Sequence, residues 1–206
     1  MHAVDQYQAY LLEIKRILDR LPLDLIEATV ERLHHARVHQ RQIFILGNGG
    51  SAATATHFAC DLAKNTVMAG LPRLRVQTLN DNMALFSAYA NGYGYETVFA
   101  EQLTNFVEAE DVVLAISASG NSANVLKAAQ VARACGAFTM GWSGYQGGKL
   151  AKLVDLALVV PSDAIEQIED VQLMVCHMVT MGLRQRAQNG FLFRADQPFR
   201  LLMPSC

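Results

Sequence analysis

Two stretches of the chain carry the residue types that hold an anion, and a third pairs two side chains that hold metals or move protons. In the first, IFILGNGGS runs directly into AATATHFACD, so the apolar run Ile43 to Leu46 meets a glycine-rich turn, and Ser51 opens an alanine-rich segment free of Gly and Pro. This reads as strand, turn and helix. Gly47, Gly49 and Gly50 allow positive φ and close backbone approach, and the helix behind them aims unpaired N–H groups and partial positive charge into the same space. The turn is neither GxGxxG nor a P-loop, and alone it reads equally as a tight turn with Ser51 as N-cap. It has a counterpart, however. At 111–129 VVLAIS runs into SASGNSANVLKAA and supplies Ser117, Ser119, Gly120, Asn121 and Ser122. Two such turns can face one phosphate. Within the first helix, His57 and Asp61 stand four positions apart, which puts both on one face with Cβ atoms about 6 Å apart. From spacing alone the two are a hydrogen-bonded pair or part of a site, and both readings are open.

The elements that must position these groups follow from periodicity. Residues 4–21 place Tyr7, Leu11, Ile14, Leu18 and Leu21 at helical spacing over a charged back, and 24–37 form a second amphipathic helix after Pro22. Helices ahead of the first strand serve as core cover or as a subunit contact, and the first is expected to be a contact. The helix after the first turn should span 51–64. A second strand at 74–79 ends in the polar NDN, a helix covers 83–90, 91–94 is a turn, and 95–108 is helical. Further strands are expected at 112–117, 137–142 and 154–160. Helices follow at 121–135 and 149–153, and a long last helix capped by Ser162 or Asp163 runs to about 188. Alternating strands and helices give a parallel α/β sheet covered on both faces, with sites at its carboxyl edge. The tail from 189 has Phe191, Phe193, Phe199 and Leu201 without a period.

At 206 residues, 51% hydrophobic and 17% charged, the chain suits one domain, expected to span 1–206 with a helical arm at 3–38, a core at 41–188 and the tail beyond. A net charge of −2 gives no electrostatic case for nucleic acid or an anionic membrane, and no apolar run approaches the ~20 residues of a span. Four cysteines without CxxC spacing and no signal-peptide pattern predict a cytoplasmic protein with reduced thiols.

GNGGSAATATHFACDL, AISASGNSANVLKAA, SGYQGGKLA and IEDVQLMVCHM occur in an order and spacing that resemble the SIS (sugar isomerase) domain over about 5–188, most closely its phosphoheptose isomerase branch. The resemblance implies a flavodoxin-like, three-layer fold with a five-stranded parallel sheet, two N-terminal helices and a long C-terminal helix, assembled as a homotetramer with sites at subunit interfaces. It implies that Ser51, Ser117, Ser119 and Ser122 hold the substrate phosphate, with Asn48, Gly49, Gly50, Ala118, Asn91 and Glu169 also touching substrate. It further implies one Zn2+ per subunit on His57, Asp61, Glu169 and His177. Asp61 and Glu169 stand where the branch carries Glu and Gln, and both remain ligand types. Residues eight apart on a helix are separated by about 12 Å of rise, so Glu169 and His177 reach one ion only if they lean together or Glu169 lies in an irregular turn. Asn91-Gly92 replaces an Asn-Asp pair. Asn65 stands where the branch has an arginine, so it is expected to touch substrate and not the metal.

The resemblance implies interconversion of an aldose and a ketose phosphate, sedoheptulose 7-phosphate or a close analogue, through an enediol. That reaction needs a base beside the carbonyl and an acid near the oxygens. Asp61 and His177 are the candidates, with the roles of the two left open. The rival reading is a non-enzymatic SIS-domain regulator similar to the tetramers that act on a bacterial replication initiator, which keep the serine turns and lack the metal and acid/base residues.

Overall fold

Five strands form one all-parallel sheet in the order β2-β1-β3-β4-β5: β1 Gln42–Gly47, β2 Arg75–Thr78, β3 Val112–Ile116, β4 Phe138–Ser143 and β5 Leu156–Val159. The structure is a computed structural model that describes residues 3–192, with side-chain environments for 4–188. The tail residues Phe193, Phe199 and Leu201 lie outside the described residues. The helices are α1 Ala3–Leu18, α2 Leu23–Val38, α3 Gly50–Cys60, α4 Met83–Tyr93, α5 Val98–Thr104, α6 Ala123–Ala134, α7 Leu150–Leu153 and α8 Ile165–Leu192.

The continuous apolar runs of β1 and β3 are the mark of strands buried on both faces, and successive residues serve opposite layers. Ile43, Ile45, Val112, Leu114 and Ile116 join a core with Val30 and Leu33 of α2, Phe58 of α3 and Val175 of α8. Phe44, Leu46, Val113 and Ala115 face the other way, against Phe99 and Leu103 of α5 and the small Ala128, Ala129 and Ala132 of α6. The strand order is the flavodoxin-like one, in which ligands gather at the carboxyl ends of the strands. β1 and β3 are neighbours, with Gly47 opposite Ile116, so both glycine- and serine-bearing turns leave the same edge side by side.

Several boundaries differ from the periodicity reading. The turn expected at 91–94 is helical: Asn91 and Gly92 lie inside α4, which ends only at Gly94. Open space surrounds Gly92, so it behaves as an ordinary helical residue there. The helix expected at 95–108 begins as a 3-10 turn, Tyr95–Thr97, before α5. After Cys60 the expected α-helix widens into a π-helical turn, Asp61–Asn65. α8 continues four residues past 188. Its start is fixed by Ser162, whose hydroxyl accepts from the Ala164 N–H at 3.1 Å and donates to Gln167 at 2.8 Å.

The apolar stripe of α1 is split. Ile14, Ile17 and Leu21 are buried in the core, whereas Val4, Tyr7 and Leu11 are about two-thirds exposed. The Tyr10 hydroxyl ties this helix to α8 by donating to Asp170 at 2.5 Å, and that bond, with burial and the nearby carboxylate charge, pushes its pKa up to about 12. Among the described residues no helix is long and apolar enough to cross a membrane.

Candidate active site

The two turns enclose a cavity of about 270 Å3. Asn48, Gly49, Gly50 and Ser51 line it from the β1–α3 turn, Ser117, Ala118, Ser119 and Ser122 from the β3–α6 turn, and Ile165 and Glu169 from α8. Every residue expected to touch substrate is therefore gathered here except Asn65, which lies past the far end of α3, and Asn91, which is exposed on α4. A larger cavity of about 710 Å3 lies between α1, the SGYQGG loop after β4 and the β5–α8 loop, and no cluster of three ligand-type side chains among the described residues lines it.

The glycines act for different reasons. Of Gly47, Gly49 and Gly50, only Gly49 takes positive φ, at 55°. Gly47 is needed because a Cβ there would lie 2.7 Å from the Ser51 carbonyl oxygen, whereas a Cβ at Gly50 would displace the Glu169 carboxylate, the free end of a side chain. Ser51 is not the N-cap: α3 begins at Gly50, which leaves the Ser51 hydroxyl without a hydrogen-bond partner among the described residues. Across the cavity the Ser117 and Ser122 hydroxyls lie 3.2 Å apart, and the Ser119 hydroxyl accepts from the Asn121 N–H.

Two residues not singled out by sequence hold these turns together. Asn124, buried in the first turn of α6, exchanges reciprocal amide bonds with Asn48 at 2.8 and 2.9 Å, and the Tyr95 hydroxyl donates to Asn48 at 2.9 Å. An Asn placed where a better helix former would fit was the available signal for Asn124. Tyr95 had none, because its approach depends on the 3-10 turn.

The second cluster lies farther along α3. The His57 Nε2 and His177 Nε2 atoms are 3.1 Å apart, and Asp61 Oδ2 is 3.5 Å from the first and 3.7 Å from the second. Metal bonds of 2.0–2.2 Å in tetrahedral geometry place ligand atoms about 3.3 Å apart, so the three atoms have the spacing of one tetrahedral face. The histidine side chains are about half exposed and Asp61 is 11% exposed, which leaves one side of the group open. Asn65 donates to Asp61 Oδ1 at 2.6 Å and leaves Oδ2 to the histidines. The two residues are the first and last of the π-helical turn Asp61–Asn65, and such turns recur at functional sites. The expectation that Asn65 lies apart from the metal residues is thus corrected.

Glu169 does not join this cluster. α3 and α8 run side by side in the same direction, Gly50 meeting Glu169 near their N termini and His57 meeting His177 about two turns on. The eight-residue rise of about 12 Å is not closed by any irregular turn, and the Glu169 carboxylate lines the anion cavity instead. Beside the cluster, burial pushes the Cys176 thiol pKa far up and the Asp61 charge adds to it, so this thiol is held neutral.

The sequence profile of the SIS domain matches residues 6–144, more than half of the chain. The chain belongs to the SIS-domain family. Among its relatives, the phosphoheptose isomerase of Helicobacter pylori (strain P12) is 39% identical over 176 residues, which cover 84% of this chain and 90% of that protein. The phosphoheptose isomerase of Mycobacterium bovis (strain BCG / Pasteur 1173P2) is 37% identical over 166 residues, covering 80% and 84%. The solved phosphoheptose isomerase of Neisseria gonorrhoeae superposes on this SIS domain with a TM-score of 0.83 at 26% identity, over 89% of this chain and all of the other. The five-stranded parallel architecture is thus that of solved phosphoheptose isomerases.

Proposed function

We propose that this SIS-domain protein is a phosphoheptose isomerase that interconverts sedoheptulose 7-phosphate and D-glycero-D-manno-heptose 7-phosphate. The observation that carries the reading is the His57, Asp61 and His177 triplet, with polar atoms 3.1 to 3.7 Å apart on the same two helices that present the serine-lined cavity. Ser51 and His57 are six residues apart on α3, about 9 Å of rise, which suits a long substrate with its phosphate at one end and its reacting carbons at the other. The regulator reading loses support because the positions it expects to be lost carry ligand-type side chains, and the relatives reported above are named isomerases.

The serine hydroxyls and the first-turn amides of α3 hold the phosphate, and Asn48, fixed by Asn124 and Tyr95, keeps the two turns at a constant separation. The reaction moves one proton between adjacent carbons and one between their oxygens, and it needs no external oxidant. A base takes the proton beside the carbonyl, the resulting enediol shifts, and the proton returns to the neighbouring carbon. Asp61 and His177 are the groups nearest the reacting carbons for this transfer, with acid and base between them left open. His57, Asp61 and His177 would hold one zinc ion per subunit, which supplies polarisation of the substrate carbonyl when bound. Asn91 does not line its own chain's cavity, so we assign its contact to substrate bound by a neighbouring copy in a homotetramer. The exposed Val4, Tyr7 and Leu11 are the surface for that assembly. We place the enzyme in the cytoplasm, in keeping with the unpaired Cys60, Cys135 and Cys176.

Running the reaction in deuterated water tests the enediol route. Label should enter the substrate carbon beside the carbonyl, and conversion without any label would refute proton transfer through solvent-exchangeable groups.

A further inference from the structure

Among the described residues, no cationic side chain lines the cavity assigned to phosphate. Its lining offers four serine hydroxyls, and the one ionisable side chain among these residues is an anion, Glu169. That carboxylate lies over Gly50, with both oxygens and the carboxyl carbon in the space a side chain at position 50 would fill. The N–H groups of Gly50 and Ser51, at the start of α3, find no acceptor in the backbone among the described residues. Donors of this kind attract negative charge. Glu169 thus lines the seat in which the substrate's phosphate is read to sit, with its carboxylate against Gly50. Like charges at such range disfavour one another strongly in a partly buried site.

We propose that Glu169 is a built-in occupant of the phosphate seat, which an incoming phosphate must displace, and that it sets the selectivity of the seat. The inference rests on the reading of this cavity as the phosphate site. Inorganic phosphate offers only its charge against the resident carboxylate. A sugar phosphate adds the contacts of its carbon chain, so eviction favours the long substrate over the bare anion. This is selectivity by a repulsive element instead of an added attraction. Gly50 completes the device, since any larger residue there would deny the carboxylate its resting place.

The test is calorimetric titration of inorganic phosphate into metal-free wild type, Glu169→Gln and Glu169→Ala at constant pH and ionic strength. The Gln variant keeps the side-chain shape, and the Ala variant carries the comparison if Gln perturbs folding. Both variants should bind inorganic phosphate about tenfold more tightly than wild type, a coupling of ordinary size. The preference for sedoheptulose 7-phosphate over inorganic phosphate should narrow by the same factor. Equal affinities in all three proteins, or weaker binding by the variants, would overturn the role of Glu169 and leave the phosphate seat standing. Absence of phosphate and sugar-phosphate binding in all three would overturn the phosphate seat itself, and the role of Glu169 with it.

Discussion

Asn65→Ala perturbs the His57, Asp61 and His177 cluster without touching a proposed ligand. The substitution removes the amide that donates to Asp61 Oδ1 at 2.6 Å, and Asp61 is only 11% exposed, so water replaces the lost donor incompletely. Hydrogen bonds to charged groups contribute roughly 1.5–3 kcal/mol, and the exposed position of Asn65 places this one at the lower end. About 1.5 kcal/mol corresponds to roughly tenfold in affinity, in line with the 10–100-fold that supporting groups contribute at metal sites. Zinc affinity is to be measured by competition with a chromophoric chelator at fixed pH, with phosphate binding measured in parallel. Zinc binding should weaken about tenfold, while phosphate binding, centred about two helical turns away, should be unchanged. An unaltered zinc affinity together with altered sugar-phosphate affinity would refute the reasoning and restore Asn65 as a substrate contact.

Tyr7→Asp combined with Leu11→Asp alters two exposed positions of α1, so light scattering should report a smaller species that still melts cooperatively; an unchanged mass would remove α1 from the subunit contact. Phe58→Ala deletes a fully buried ring whose centroid lies 5.5 Å from that of Trp142, and denaturant unfolding should show a loss of about 3–5 kcal/mol, with a loss below 1 kcal/mol counting against the packing described. Alkylation of the native protein at mildly alkaline pH should label the exposed Cys60 and Cys135 and spare Cys176, whose thiol is held neutral by burial and by Asp61; rapid labelling of Cys176 would contradict that environment.

Much of this architecture was legible because its signals are local. Apolar runs ending in GNGGS and SASGNS fix two strands and two turns, and the adjacency of β1 and β3 in the flavodoxin-like order brings those turns together. His57 and Asp61 were legible as an i, i+4 pair, and their closeness to His177 came from family resemblance. What sequence did not show depends on how elements pack. The parallel course of α3 and α8 separates Glu169 from His177 and puts its carboxylate over Gly50. Asn65 follows Asp61 by four residues and could have been read beside it, but its family counterpart pointed to the substrate instead. Splitting of the α1 stripe is likewise tertiary, since Ile14 and Leu11 belong to one helical face yet only Ile14 reaches the core.

The most direct measurement incubates zinc-loaded protein with sedoheptulose 7-phosphate and follows formation of the aldose phosphate, beside His177→Ala in the same assay with bound zinc quantified. Steady conversion by the wild type is expected, with activity and most bound zinc lost together in the variant. If the zinc-loaded wild type converts no heptose phosphate and instead binds a protein partner tightly, the isomerase reading is contradicted and the regulator reading replaces it.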